Sequence, residues 1–439
     1  MAYSYLTFAQ ARAELANRLS DSLRIYWTDA ELKLAIREAL RYWNTVTMFW
    51  RSRFTFNATA NQFWYDLTVP ATTLIPYTVT DREVISFLLY NLIEPQLDGT
   101  FSYVGTDMFT LSDIVNALQR RRDQFFLETG MVTTQSVING PIPPANRVSL
   151  ADSIIDVKRA AWIDQSHNYS TLWKTDEWAS ESFNYGWSTD PQNPPSSFST
   201  AVVPPTTLSV IPPPQASGQI EIITTNTGTP LNPATPILLG IPDDFSWVVR
   251  MGALADLLGR EGQSRDENRA QYAEARWKEG IALAKQFTSI LTGYLNGVQV
   301  FPQSVHALSA FRSGWQDEAP AISDSIAVMS WNLIALVPLP ISTSVSIMLD
   351  MVQNAPVPVA DGDFIQIGRE DLDALLDMAQ HLLAFKQGGQ EFMETVPLYQ
   401  SAVAQAKLRN SKIKENIPFW EALDDRALVQ EAETESKKD

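Results

Sequence analysis

The sequence predicts an α+β protein, a helical bundle with antiparallel β-strands inserted into it. Apolar residues recur at helical spacing in two N-terminal segments and again in a long helix hairpin at residues 241–285. Between them lies a proline-rich region, 190–236, that contains short alternating segments. The bundle is therefore expected to consist of two N-terminal helices plus the hairpin, with a second copy of a strand–strand–helix–helix unit at the C-terminus.

The N-terminal segments predict two helices followed by a β-hairpin. Residues 7–19 place apolar side chains on one face, and Thr28 with Glu31 forms a capping box that opens a long helix with an apolar stripe as far as Trp50. Residues 51–58 and 63–67 alternate as strands that turn at Ala60-Asn61. The aromatic residues here could line a ligand cage, but aromatics at this spacing favour a packed core.

Two more helices are predicted at residues 82–97 and 110–128. Thr110 caps the second helix, which carries the run Arg120-Arg121-Arg122. A phosphate or DNA contact is one interpretation of this run. Consecutive helical residues point in different directions, so we favour a solvated helix face paired with nearby carboxylates.

Residues 139–236 predict connections, strands and a short helix. A Pro-rich connection (139–150) precedes a strand at 157–163 and a helix at 175–184. Eleven of the 26 prolines lie between Pro191 and Pro236, which restricts that stretch to edge strands and loops. Within it, 208–211 and 219–224 are predicted to pair as antiparallel strands.

The helix hairpin at 241–285 is the most regular part of the sequence. Its first helix has an apolar face that ends at Gly262, and Ser264 with Glu267 forms a capping box that starts the second. The polar residues alternate in sign along an outer face, so no chemistry is expected there. The apolar positions are Val248, Met251, Ala255 and Leu258, then Ala273, Trp277, Ile281, Ala284 and Phe287.

The pattern returns roughly 126 residues later. Residues 334–338 repeat the pattern of the strand at 208–212, and residues 345–347 repeat that of the strand at 220–222. Ile367 takes the position of Ile241. Helices are then predicted at 370–385 and about 391–410, separated by Gly388-Gly389. The predicted division has five parts: 1–67 with 155–290 as a core, 68–154 as an inserted helical segment, 291–328 as a linker, 329–412 as a second strand–helix–helix unit, and 413–439 as an anchor and solvated tail.

Composition narrows the class of function. The net charge is −17, which argues against a protein whose main task is to grip phosphate backbones. There is no cysteine, so disulfides and thiolate sites are excluded, and the three histidines are far apart. The N-terminus has no signal-peptide pattern and no apolar run is long enough for a bilayer, which predicts a soluble chain with protein partners and no membrane contact.

No motif for catalysis or cofactor binding is present in the sequence. Nucleotide loops, the H-E-x-x-H zinc motif and the G-x-S-x-G nucleophile elbow are missing. Asp243-Asp244 stands at a helix start, where carboxylates are expected as caps. We therefore name no catalytic residue, no cofactor and no metal ligand. Near the C-terminus, Phe419, Trp420 and Leu423 precede a charged tail and could dock on a partner ring; a disordered terminus is the alternative.

Several segments together resemble head-to-tail adaptor proteins of tailed bacteriophages, also called connector or neck-ring proteins. These are ELANRL, TDAELKLAIREALRYWN and RFTFNATANQFWYDL, then the strand pair around TLSVIPPP and QIEI, and the hairpin from IPDDF to RWKEG. The hairpin is the most specific of them, and the resemblance covers residues 1–67 and about 155–290.

The resemblance implies a non-enzymatic virion protein in the neck of the particle, assembled in the host cytoplasm. It implies a twelvefold closed ring that binds the portal protein, extends the DNA channel and holds the tail or nozzle protein. DNA would pass an acidic or neutral lumen without sequence-specific binding.

Two other classes of protein stay open at this point. A tail-tube or baseplate subunit with a host-surface binding role is suggested by the proline-rich β region and its aromatics. A cell-wall hydrolase is suggested only by the abundant carboxylates, and loss of peptidoglycan clearing on replacing one Asp or Glu would reveal it.

Overall fold

The predicted fold class is wrong in its balance of helices and strands. The structure is a computed structural model that describes residues 5–68, 77–97, 108–183, 186–189, 193–200, 205–262, 265–287, 290–312, 314–342 and 345–415. In these ranges the chain is α+β with fifteen strands in three sheets, one of them seven-stranded. It is not a helical bundle with a few inserted strands, because strands that pair only with distant segments carry little signal in the local sequence.

Ten helices occur in the described ranges. They are α1 (Phe8–Arg18), α2 (Asp29–Thr47), α3 (Asp81–Leu92), α4 (Leu111–Thr129), α5 (Glu177–Phe183), α6 (Ser246–Gly259), α7 (Glu267–Gln286), α8 (Val305–Phe311), α9 (Arg369–Ala384) and α10 (Gly389–Glu415). The predicted capping box at Thr28 and the predicted cap at Thr110 are confirmed, and Thr110 also forms a capping box with Asp113. The second helix of the hairpin is capped by Asp266, whose side chain accepts from the Arg269 N–H, so the predicted cap at Ser264 is wrong.

The fifteen strands include several that the sequence analysis missed, among them β4, β6 and those within 291–328. They are β1 (Arg51–Asn57), β2 (Trp64–Asp66), β3 (Thr134–Asn139), β4 (Arg147–Ser149), β5 (Ile154–Ile163), β6 (Tyr169–Thr175), β7 (Ser197–Thr200), β8 (Thr207–Ile211), β9 (Gln219–Asn226), β10 (Ile290–Leu295), β11 (Val298–Val300), β12 (Gln303–Ser304), β13 (Ser325–Val328), β14 (Leu333–Val337) and β15 (Ser346–Val352).

Both predicted strand pairings are wrong, although the strands themselves exist. β1 pairs with β15 and β2 with β14, so they do not form a hairpin with each other. β8 pairs with β4 and β7, whereas β9 pairs with β3 and β5. β1 and β2 therefore lie in different sheets, and β8 and β9 lie in different parts of the seven-stranded sheet, which alternation alone cannot reveal.

Two parts of the chain have the same order of helices and strands, and one part is inserted into the other. We call residues 77–287 the inner unit and residues 5–68 with 290–415 the outer unit. The inner sheet has the order β3-β9-β5-β6-β7-β8-β4. The outer unit has the orders β1-β15-β10-β11 and β12-β13-β14-β2, which follow the same succession if β11 and β12 together take the place of β6. In the sequence of each unit, two helices come before the strands and a helix hairpin comes after them.

Individual backbone hydrogen bonds repeat between the units. The first N–H of α1 donates to Asp363 O and the first N–H of α3 donates to Ile237 O. In the same way Leu67 N–H donates to Asn332 O, and Leu150 N–H donates to Thr206 O. These bonds fix a residue-by-residue correspondence between the units, which extends well beyond the predicted strand–strand–helix–helix echo.

Buried aromatic residues form much of the core. Phe63, Trp64 and Tyr65 are almost fully buried, which confirms their interpretation as core residues. The largest apolar cluster spans both units and includes Trp43 of the outer unit with Trp247 and Trp277 of the inner unit. The two units therefore share one core.

Gly280 provides a test of the packing between α6 and α7. A Cβ at this position would approach the side chains of Val248 and Trp247, with Trp247 Cη2 at 3.0 Å. Gly280→Ala gains about 1 kcal/mol of helix propensity but overpacks the contact, so we expect a net loss of about 1–2 kcal/mol in the free energy of unfolding. Gly259→Ala is the matched control, since its nearest neighbour is Ala270 Cβ at 3.7 Å. Urea unfolding checks both, and equal stability of the two variants would contradict the packing argument.

Candidate assembly interface

The junction between the inner and outer units contains several buried charged side chains. Arg250 on α6 lies between the units with its side chain almost inaccessible. Its Nε donates to Glu38 Oε2 on α2 at 2.8 Å, a second nitrogen binds Glu38 Oε1, and a third binds Asn91 on α3. The guanidinium also lies over the Phe87 ring at 4.2 Å. One cation thus joins an inner helix to the long N-terminal helix of the outer unit.

A second buried arginine, Arg276 on α7, lies in an aromatic box. Its guanidinium carbon is 4.4 Å from the ring centre of Tyr42, 4.7 Å from that of Trp247 and 4.8 Å from that of Tyr399. Tyr42 and Tyr399 belong to the outer unit, and Tyr42 Oη donates to Glu279 at 3.0 Å. Cation–π contacts of this kind strengthen when water is excluded, so the box holds α7 against α2 and α10.

His381 on α9 is bonded through both ring nitrogens. Tyr272 Oη of α7 lies 2.6 Å from Nε2, and Thr395 Oγ1 lies 2.7 Å from Nδ1. Burial, followed by the nearby charge of Arg276, lowers the pKa of His381 to about 3. The imidazole is therefore neutral at physiological pH and serves as a hydrogen-bonding group between the units.

Asp243 and Asp244, at the start of the helix hairpin, accept hydrogen bonds from other segments of the chain. Asp243 accepts from the Thr78 and Val79 N–H groups at 2.8 and 3.0 Å. Asp244 accepts from Asn44 Nδ2 at 2.6 Å and from Ala355 N–H at 3.0 Å, and burial raises its pKa to about 7. Neither side chain caps the helix it precedes, so the expectation of caps is wrong. The pair instead ties three separate segments together.

The sheets also meet at the junction. Arg159 on β5 donates to Glu221 on β9 at 3.3 Å, and Gln316 of the outer unit donates to the same carboxylate at 3.2 Å. The Arg159 guanidinium lies 5.5 Å from the Trp315 ring and 5.8 Å from the Trp64 ring. As at Arg250 and Arg276, a cation of the inner unit is enclosed by side chains of the outer unit.

The junction is not twofold symmetric. The outer unit contributes α2, whose counterpart in the inner unit is α4, because both follow a threonine capping box and end in a left-handed residue. A symmetric contact would place α4 against α1, α9 or α10. In the described ranges no hydrogen bond or ion pair joins α4 to these helices, and its ion pairs go to Asp256, Arg260 and Glu274 of the inner unit. The two units therefore meet through different surfaces.

The predicted site residues have different fates in the structure. Phe419, Trp420 and Leu423 lie outside the described residues. Arg120 is mostly exposed and paired with Asp256, as predicted, but Arg122 is buried and donates to Thr229 O at 2.7 Å, so the run is not one solvated face.

Arg250 and Arg276 were missed as functional residues. The hairpin was expected to carry its charges on an outer face, yet both arginines are buried. Their signal in the sequence is a lone cation one helical turn from a tryptophan or tyrosine within an otherwise apolar face, Arg250 after Trp247 and Arg276 after Tyr272.

Within the described ranges, no helix combines the length and hydropathy that crossing a bilayer requires. In the same ranges, no three histidine or carboxylate side chains come together as metal ligands would. No protein-family model matches the chain, and no curated protein matches it significantly.

Proposed function

We propose that this chain is a structural subunit of the head-to-tail adaptor ring of a tailed bacteriophage. The observation that carries the proposal is the junction between the inner and outer units. Two copies of one unit meet side by side through unlike surfaces, which is the relation between neighbours in a closed ring. The buried Arg250 and Arg276 contacts would make such a relation rigid.

In this role the ring binds the portal protein on one side and the tail or nozzle protein on the other. The resemblance of the sequence to neck-ring proteins supports this placement in the virion. The net charge of −17 supports a channel that DNA can pass, because favourable contacts with DNA come mainly from Lys and Arg neutralising phosphates. We expect the lumen-facing surface to be acidic or neutral.

The test is to locate the chain in particles and to bind it to the portal. Purified chain mixed with portal rings should add a ring of density in negative-stain averages, and a tagged chain should label the neck of intact virions. Absence of the chain from mature particles, or a strongly basic lumen, would refute the proposal.

Two exposed tryptophans favour a second candidate, a tail structural subunit that binds the host surface. Trp173 on β6 is 78% exposed and Trp178 on α5 is 83% exposed. Aromatic rings in such positions offer apolar area with a polar edge to a sugar or protein surface.

Replacing both tryptophans with alanine separates the two candidates. Both side chains are exposed, so the free energy of unfolding should change by less than about 0.5 kcal/mol. For an adaptor, pull-down with host envelopes should be equally weak for the native chain and for the variant. Strong envelope binding by the native chain that disappears in the Trp173→Ala, Trp178→Ala variant would favour the tail subunit.

A further inference from the structure

We propose that the chain binds further copies of itself head to tail, through a chain-to-chain contact that repeats the internal junction. This inference deepens the proposed ring function and identifies the surfaces that form it. The partner at both surfaces is a second copy of this chain.

The argument starts from the unsymmetric junction. The inner unit meets the outer unit with a surface built from α3, α6, α7 and the face of β5 and β9, which we call the leading surface. The outer unit contributes α2, α9, α10 and residues 314–317, which we call the receiving surface. Because the units are copies, the outer unit has its own leading surface and the inner unit its own receiving surface. Four side chains mark these two surfaces, and each of them binds a partner in its own unit rather than in the other one: Arg120 binds Asp256, Gln124 binds Glu128, Asp373 binds Arg18 and Gln405 binds Asp371.

Charges on the two uncovered surfaces are complementary. In the junction, Glu38 of the receiving surface binds Arg250 of the leading surface. Arg120 follows Thr110 by the same number of residues as Glu38 follows Thr28, and its side chain is 66% exposed. The residue that aligns with Arg250 is Leu376 on α9, and Asp373 lies one helical turn before it with 81% of its side chain exposed. In the junction the receiving surface carries the carboxylate, whereas here the receiving surface carries Arg120 and the leading surface carries Asp373. Opposite charges attract in either arrangement, so a contact of the same geometry remains favourable.

A second pair of aligned positions also carries side chains that can bind each other. In the junction Tyr42 donates to Glu279. Their counterparts are Gln124 on α4 and Gln405 on α10, and neither side chain is buried. Two amide side chains can donate to and accept from each other, so this pair replaces a hydroxyl–carboxylate bond with an amide–amide bond.

The β1-β15-β10-β11 sheet of the outer unit has an open groove on one face. The corresponding face of the inner sheet is covered by the outer unit. On the inner sheet, the Arg159–Glu221 pair is covered by Trp315 and Gln316. The corresponding face of β1, β10 and β15 carries an Arg53–Asp350 pair at 2.6 Å. Here the face opens into a groove of about 610 Å³, which these side chains line together with Thr292 and Tyr294. In the assembly, the receiving surface of the next chain covers this groove.

The repeating element of the ring is then half a chain. A ring assembled in this way contains twice as many units as chains, and twelve unit positions require six chains. Contacts within a chain and contacts between chains alternate around the ring, as quasi-equivalent heterologous interfaces that close.

The natural chain lacks cysteine, so engineered thiols report this contact without background. Gln124→Cys and Gln405→Cys place one thiol on each uncovered surface. The template contact joins the tips of two long side chains, so a flexible bis-maleimide is used in place of a direct disulfide. With this reagent each single variant alone should stay monomeric on a denaturing gel, and an equimolar mixture of the two should give dimers only. The double variant should give a ladder that ends at the ring, with six chains for twelve positions. Ser166→Cys combined with Gln405→Cys is the control pair and should give no ladder.

Each outcome decides between arrangements. Dimers from a single variant would indicate a twofold contact and overturn the inference, as would a double variant that yields no ladder. Charge reversal is an independent check on the native interface. Arg120→Glu and Asp373→Arg should each weaken self-association about tenfold in sedimentation experiments, and a chain carrying both should regain much of it.

The same experiments separate this inference from the proposed function. A ladder without portal binding would leave the head-to-tail contact standing and remove the adaptor role. Portal-bound rings that do not cross-link through positions 124 and 405 would support the adaptor role and remove this contact.

Discussion

Replacing Arg250 with methionine should lower the free energy of unfolding by about 3–5 kcal/mol. The change leaves Glu38 buried in the junction without its cation, and removing one member of a buried ion pair typically costs this amount. Asn91 loses a hydrogen-bond donor in the same step. Urea unfolding followed by tryptophan fluorescence provides the measurement, since Trp247 lies on the same helix one turn away.

Two further variants determine whether the effect comes from the buried pair. Arg120→Met removes a mostly exposed arginine and should cost less than about 1 kcal/mol. The double variant Arg250→Met, Glu38→Leu removes both charges, and because an apolar pair can replace a buried ion pair at little cost, it should recover most of the lost stability. A double variant as unstable as Arg250→Met alone would show that Arg250 acts through its other contacts, such as Phe87 and Asn91.

The helices of this protein could be predicted from sequence, because the signals that start and stop them are local. Thr28 and Thr110 each bind the backbone three residues on, and this spacing is visible in the sequence. Gly262 has a positive φ after α6, as its position indicated. The apolar faces of α6 and α7 are buried at the predicted residues except Phe287, which follows α7 and is half-buried.

Strand pairing could not be predicted in the same way. β1 and β2 are separated by a short turn, yet their partners lie near residue 350 and residue 335, after the whole inner unit. The insertion of one unit into the other explains this distance, and it also explains why a repeat read along the sequence recovered only the C-terminal half of each unit.

The insertion of one unit into the other also explains why the candidate interface could not be predicted from the sequence. The periodicity of α6 and α7 reports that a face is buried but not which segment covers it. In the sequence Arg250 and Arg276 are not distinguishable from exposed polar residues. Their partners are on α2 and α10, which come from opposite ends of the chain. Asp244 likewise precedes a helix in sequence but binds Asn44 and Ala355 in the structure.

Acidification should destabilise the junction through His381. The folded chain holds this imidazole neutral, with a pKa of about 3, whereas the unfolded chain binds a proton near pH 6.5. As the pH falls below 6.5 the unfolded state gains a proton that the folded state cannot take up, so the free energy of unfolding falls. Integrated from pH 6.5 to pH 4, the linkage predicts a loss of about 3 kcal/mol from this one residue.

The variant His381→Phe isolates this contribution. Phenylalanine keeps the stacking on Phe392 and Tyr399, whose ring centres lie 4.7 and 4.6 Å away, but it loses the bonds to Tyr272 and Thr395. We expect the variant to be less stable at pH 7 by about 1–3 kcal/mol and to have a flatter dependence on pH between 6.5 and 5. Asp244, whose pKa is raised to about 7, titrates in the same window with the opposite sign, but it is present in both chains, so the difference in slope between them belongs to the imidazole. His306→Phe, at an exposed position, should keep the native slope, and a native slope in the His381→Phe chain would show that acid acts on the junction through other groups.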